Sequence, residues 1–427
     1  MNFTEFINSA SNEIISQTKN NKVVIVIGKN STGKSTILAE VARIAPDHYK
    51  KTLALSFTVS DKFSFRHSEN YVYLGVRSSG NATYVNSIDT KIFESLVEGY
   101  ASETFHFKFE KICEFLGVTP KVNIVISLRK EFKDQTLVSY LMNSWVKRVG
   151  QGRVPWKPLT EAGGHYSRSE ILDFHKHLTK TGTSLEEIDH LLCLFKTHNR
   201  LNNIEVPIAT IGEQGAGTAK AFSCLRQMGV IKNLSLSIGD DINTDFSWLS
   251  SGQKSVLFTL TQAIRHAHEE TLILIDEPEI SLHPEWQANY IKLIEKIFEK
   301  IDCKFVIATH SPYLAINCTN ETSGVLSIRR DSKGFYCEPL ASMEGLNIDV
   351  ASVDGFGVGS TRSAYFERIL IDACAQIVSE KPDIDKVYDY IKAFNRISIR
   401  NEDPINTLIE ELKEIIHRHE NNLAKPN

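Results

Sequence analysis

The eight residues from Gly28 to Ser35, GKNSTGKS, constrain this chain more than any other stretch. Before them stands KVVIVI (22–27), a β-branched run typical of a strand buried on both faces. After them comes STILAEVARIA, with helical spacing. Strand, glycine-rich turn and helix are the context that the pattern G-x-x-x-x-G-K-[ST] needs before it can cradle a phosphate chain. Gly28 and Gly33 let the backbone curl, so that successive N–H groups across Lys29, Asn30, Ser31, Thr32 and on to Thr36 can face an anion. The helix start adds its positive dipole end. Lys34 is placed to reach β- and γ-phosphates, and the Ser35 hydroxyl is placed to ligate Mg²⁺. The alternative is a structural glycine turn joining a strand to a helix.

Three further motifs follow in order. WLSSGQKS (248–255) is a Ser/Gly turn before a helical run, where Ser250, Ser251, Gly252 and Gln253 could form a second anion-binding helix start. It could equally be a simple cap, with Ser250 or Ser251 as N-cap. LILIDEPE (272–279) is an apolar strand that delivers Asp276 and Glu277 at its C-terminal end, where open α/β sheets bind ligands. Asp276 suits a Mg²⁺ contact through water, and Glu277 suits polarising an attacking water. THS (309–311) ends the strand KFVIA and offers His310 to a γ-phosphate, or else His310 is a satisfied buried histidine.

The chain of 427 residues allows two to three domains at roughly 100–200 residues each. A net charge of −4 provides no global basic field for coating nucleic acid. The apolar runs are too short to span a bilayer, and the N-terminus has no apolar core of the secretory kind. The seven cysteines are scattered without a C-x-x-C pair and read as reduced thiols of a cytoplasmic protein. Residues 3–19 have helical spacing through Phe3, Phe6, Ile7, Ile14 and Ile15. Segments 51–60 and 70–76 look like strands. In 405–416, Ile405, Leu408, Ile409, Leu412, Ile415 and Ile416 form an amphipathic helical face that could pack on its own domain or dock a partner.

In this order the four motifs resemble those of the ATP-binding-cassette (ABC) ATPases. LSSGQ corresponds to their LSGGQ signature, with Ser251 in place of the first glycine. Ser281-Leu282-His283 matches the D-loop position and His310 the switch histidine, 34 residues after Asp276. DEPEISLHPEWQ is most similar to the branch shared by overcoming-lysogenization-defect (OLD)-type, RecF-like and Rad50-like ATPases. The resemblance implies an α/β fold, with an ABC-type P-loop head on a mainly parallel sheet. It implies the head's N-terminal part at 1–90, a mostly helical insertion at 91–204, the head's C-terminal part at 205–340 and a helical C-terminal region at 341–427. It implies ATP and Mg²⁺ as ligands, with Ser35 and Asp276 at the metal and Lys34, Glu277 and His310 in catalysis. It also implies a two-fold homodimer, or a higher homo-oligomer, in which Ser250 of one copy caps the γ-phosphate held by the other.

Heads of that family usually carry an antiparallel strand pair before the phosphate loop. Here a helix stands there, so the lobe would be rebuilt from 51–76. Gln135 is the one candidate for the Q-loop. The chain lacks long heptad arms and an acidic cluster of Toprim type. It therefore looks like the stand-alone ATPases of Septu (PtuA), retron and PARIS defence systems, which restrain a separately encoded HNH or Toprim nuclease. The alternative is a RecF/Rad50-like repair ATPase that binds DNA, for which Lys147, Arg148, Arg153, Lys157 and Arg168 near Trp156 would supply a phosphate-binding loop. A third reading is an interaction module that binds ATP without turnover.

Overall fold

A computed structural model describes residues 2–65, 68–77, 85–100, 102–128, 187–188, 191, 199–200, 203–213, 221–222, 231–239, 246–316, 318, 322–332, 334–340, 343, 348–356, 364–377, 379, 382–395 and 405–423. Gln135 and the basic cluster around Trp156 lie outside them. The chain forms two compact units, one of 1–75 with 267–427 and one of 76–266.

The first unit is an α/β layer structure. Helix α1 (Phe3–Asn20) leads into strand β1 (Val23–Gly28), the loop, helix α2 (Lys34–Ile44), β2 (Lys51–Ser56) and β3 (Tyr71–Tyr73). After the second unit the chain adds β8 (Thr271–Asp276), a helix over Pro284–Ile297, β9 (Cys303–Thr309), β10 (Ser323–Asp331) and β11 (Gly334–Leu340). The seven strands lie in the order β11-β10-β1-β9-β8-β2-β3, parallel except for the antiparallel β10–β11 pair. The register aligns Ser56, Asp276, Ala308 and Val26 across four strands, so their C-terminal ends open on one edge. Every residue of β1 and β8 is buried, which explains why their sequences run apolar without alternation. Val24, Val26, Leu272, Leu274, Val306 and Ala308 join Phe6, Ile14, Ile37, Leu38 and Val41 of α1 and α2 in one core.

The segment 51–76 does not form an antiparallel lobe. It supplies two parallel strands of the main sheet, and the antiparallel pair comes from 323–340 instead. Helix α1 packs on β11, with Phe6 stacked on Phe335 at 5.5 Å between ring centroids.

The second unit contains α3 (Val85–Gly99), α4 (Glu103–Leu116) and the helix Ser251–His266, which packs on both. It also holds an antiparallel sheet in the order β5-β6-β4-β7, from Asn199–Arg200, Asn203–Pro207, Val122–Leu128 and Ile231–Ile238. The stretch 91–204 is therefore not helical throughout. VNIVISL (122–128) alternates, with Val122, Ile124 and Ile126 buried, and period two is the mark of a half-buried strand. Near the C-terminus, helices Ala364–Ile377, Ile384–Asn395 and Ile405–Leu423 close a small core of their own. In it Ile409 and Leu412 meet Ile369, Ala373, Val387 and Phe394. The amphipathic face of the last helix is thus covered by this chain's own helices. No described helix is long and apolar enough to cross a membrane.

Candidate functional site

The loop after β1 is shaped by its glycines. A Cβ on Gly28 would stand 2.6 Å from the Ile328 carbonyl oxygen, so only glycine allows β1 and β10 to approach this closely. Gly33, the residue before α2, has φ +91°, a conformation that L side chains rarely adopt. Between them Ser31 turns through a left-handed φ of 65°, and the Thr32 hydroxyl donates to the Lys29 carbonyl at 2.9 Å. Asn30 and Ser31 are exposed at the loop's apex, and Thr36 lies in the first turn of α2.

Lys34 is buried. Its ammonium donates to the carbonyls of Gly28 at 2.9 Å and Lys29 at 3.1 Å, and lies 3.0 Å from the His310 ring. Burial pulls its pKa down to about 8, against the raising effect of Glu277, Glu279 and Asp276. Ser35 donates its hydroxyl to Asp276 at 3.2 Å. Asp276 is buried, and desolvation pushes its carboxyl up to about 7 despite the Ser35 hydrogen bond. The charges of Glu277, Asp61 and Glu279 add to the rise. A buried carboxylate crowded by others, with a hydroxyl beside it, is a place that a cation would stabilise. Their two oxygen donors fit a hard divalent ion. Among the described residues, no group of three His, Cys, Asp or Glu could hold a metal alone.

Glu277 stands one residue beyond β8 with φ +52°, and its N–H donates to the Ala308 carbonyl at 2.9 Å. That backbone turn accompanies a carboxylate 3.1 Å from His310 Nε2. The hydrogen bond from His310 holds the Glu277 carboxyl below its ordinary pKa, helped by the positive fields of His310 and Lys34 and opposed by burial. The structure thus brings together Lys34, Ser35, Asp276, Glu277 and His310 from three segments far apart in sequence.

Two acidic residues that the sequence analysis gave no role belong to the same surroundings. Glu279 accepts from the His310 backbone N–H at 2.5 Å and so fixes the end of β9, while burial raises its pKa. Asp61 is buried, accepts from the Tyr73 hydroxyl at 2.9 Å and adds its field to Asp276. The clue to Asp61 was its place just after β2, the strand beside β8. Glu279 sat inside the DEPE motif itself.

Ser250 and Gln253 lie in the second unit and form a reciprocal cap. The Gln253 N–H donates to Ser250 Oγ at 3.1 Å, and the Ser250 N–H donates to Gln253 Oε1 at 2.9 Å. Ser250 and Ser251 are exposed, Gly252 is buried, and Trp248 beside them is 72% exposed. In the first unit Ser281 turns through φ +66°, and His283 caps the helix Pro284–Ile297.

Residues 160–317 match the family model described as "AAA domain, putative AbiEii toxin, Type IV TA system". The chain is 26% identical over 155 residues to Protein ea59 of Escherichia phage lambda, covering 36% of this chain and 27% of that protein. It is 31% identical over 142 residues to Septu protein PtuA of Bacillus thuringiensis, covering 29% of this chain and 35% of that one. The chain therefore spans about a third or less of the length of these two relatives. A longer match, 21% identical over 369 residues, joins it to the "Retron Vc95 probable ATPase" of Vibrio cholerae, covering 71% of this chain and 68% of that protein. The chain thus has an α/β layer on a mostly parallel sheet that carries a phosphate-loop pattern, and the proteins it is similar to include Septu and retron proteins.

Proposed function

We propose that this protein binds and hydrolyses ATP with Mg²⁺ between two paired copies, and that pairing controls a separately encoded nuclease of HNH or Toprim type in anti-phage defence. The observation that carries the reading is the Ser35–Asp276 contact at 3.2 Å, made beside Lys34 and the Glu277–His310 pair. Loop N–H groups and Lys34 hold the β- and γ-phosphates. Ser35 and Asp276 would hold a Mg²⁺ ion, which would supply neutralisation of phosphate charge there. Glu277 accepts a proton from the attacking water, and its depressed pKa keeps it ionised for that task. His310 hydrogen-bonds the γ-phosphate and orients Glu277. Ser250 of the partner subunit caps the same phosphate, so loss of that phosphate on hydrolysis releases the pair. The relatives' names, Septu protein and retron ATPase, support the defence assignment.

The test is phosphate release by the purified protein with ATP and Mg²⁺. Glu277→Gln is expected to slow release by about 10²–10⁴-fold, the usual contribution of a positioned base, while ATP binding is retained. Wild-type protein that binds ATP yet releases no phosphate, alone or with its nuclease, would reduce it to a binding module.

A further inference from the structure

Strand β9 stops at Thr309, one residue short of His310. Its register with β1 ends at Thr309 and its register with β8 at Ala308, so the backbone that carries the imidazole has no sheet ladder to hold it. Two side chains from the segment after β8 take over. Glu279 accepts from the His310 N–H. Gln287, in the helix Pro284–Ile297, accepts through Oε1 from the hydroxyl of the next residue, Ser311. Ser311 precedes the short helix Pro312–Ala315, a place where serine commonly caps with its own oxygen. Here no such cap forms: Ser311 is buried, and its hydroxyl is given to Gln287 instead.

Gln287 makes a second side-chain bond. Its Nε2 donates to the Leu282 carbonyl at 2.8 Å, and the Leu282 N–H donates to the Glu279 carbonyl at 2.9 Å. These bonds close a ring. It runs from His310 to Glu279, through Leu282 to Gln287, and back through Ser311 to the residue beside His310. The ring spans the left-handed turn at Ser281, φ +66°. Both ends of the Gln287 amide are used, one facing a carbonyl and the other a hydroxyl, so the side chain has one satisfied orientation.

We propose that Gln287 is a positioning residue: through Ser311, and together with Glu279, it holds His310 against Glu277 and Lys34. A single bond would let the chain after Thr309 swing about it. The closed ring fixes the direction in which His310 leaves the backbone, and with it the reach of the imidazole. That reach has little slack. His310 Nε2 stands 3.1 Å from Glu277, and the ring stands 3.0 Å from the Lys34 ammonium, so a shift of about 1 Å would break both contacts. The inference rests on the catalytic reading of Lys34, Glu277 and His310, and adds the side chain that aims the histidine.

The experiment measures phosphate release by the full chain as wild type, Gln287→Met and Ser311→Ala. Each variant removes one end of the bond without adding bulk, so each is expected to fold. In both, kcat is expected to fall by about 10²-fold, the cost of a small misplacement, while KM for ATP is unchanged. The double variant should be no slower than the slower single one, because both changes cut the same link. In a His310→Ala background, Gln287→Met should have no further effect. Full additivity in either comparison, or a raised KM with kcat intact, overturns the assignment. A second measurement needs no turnover. The His310 Cε1–H resonance, identified by its loss in His310→Ala, should shift in Gln287→Met and in Ser311→Ala, and an unmoved resonance in both overturns the positioning role. If the resonance shifts while the wild type releases no phosphate, the catalytic reading fails and the positioning of His310 stands.

Discussion

Ser35 and Asp276 stand 241 residues apart in sequence and 3.2 Å apart in space. Each was legible in the sequence because each ends a local pattern: one opens a helix after a glycine turn, the other closes an apolar strand. Glu277 and His310 were legible for the same reason. Asp61 was not, because its place near Asp276 depends on parallel strands lining up their C-terminal ends, a relation between segments that no single segment records, while Glu279 stood inside the DEPE motif and was given no role. The roles divide experimentally. Ser35→Ala removes one oxygen donor and leaves the loop's N–H groups in place. ADP binding without metal should then be unchanged, while the strengthening of binding by Mg²⁺ should drop by about ten-fold or more. Calorimetry with and without Mg²⁺ reads both quantities, and an undiminished Mg²⁺ effect would exclude Ser35 as a ligand.

At the scale of elements, the helix Ser251–His266 has two accounts of its first residues. The sequence left open a cap and an anion site, and the structure finds the cap, Ser250 with Gln253. The two accounts are compatible in sequence terms, because a serine that caps a helix sits where the helix dipole also favours anions. Substitution separates them. Ser250→Ala should cost about 1 kcal/mol of unfolding free energy, as removal of an exposed cap usually does. Ser250→Asp keeps a capping oxygen and should restore that stability, yet it sets a carboxylate against a phosphate and should abolish ATP-dependent pairing. Urea unfolding and mass measurement read the two effects. If Ser250→Asp pairs normally, the phosphate role of Ser250 is lost. The missed strand Val122–Leu128 teaches a related lesson. Its alternation was present, but it lay within a polar stretch whose other segments had helical spacing. The expected antiparallel lobe was misplaced for a different reason, since 51–56 pairs parallel with β8 and 71–73 pairs parallel with 51–56 at the edge of the same sheet.

For the whole molecule, the loop and its acidic residues belong to one compact unit and the Ser250 turn to the other. In the proposed pairing, Ser250 of the partner subunit would cap each phosphate, and a two-fold pair would complete two sites at once. If the proposed pairing holds, Glu277→Gln should double in mass with ATP and Mg²⁺ and return to a single mass with ADP. A mass unchanged by ATP at concentrations well above its Kd would contradict the pairing. One local feature has a global cost. Glu277 holds a left-handed backbone, a conformation that disfavours any residue with a Cβ by about 1–2 kcal/mol. Glu277→Gly should accordingly melt at a higher temperature than Glu277→Ala, with a difference near 1 kcal/mol, and equal melting would mean that no such strain is stored. Screening variants for heat tolerance alone would thus drive this position toward glycine and remove the carboxylate that the proposed hydrolysis needs. Robustness and the proposed chemistry would compete there for the same two torsion angles.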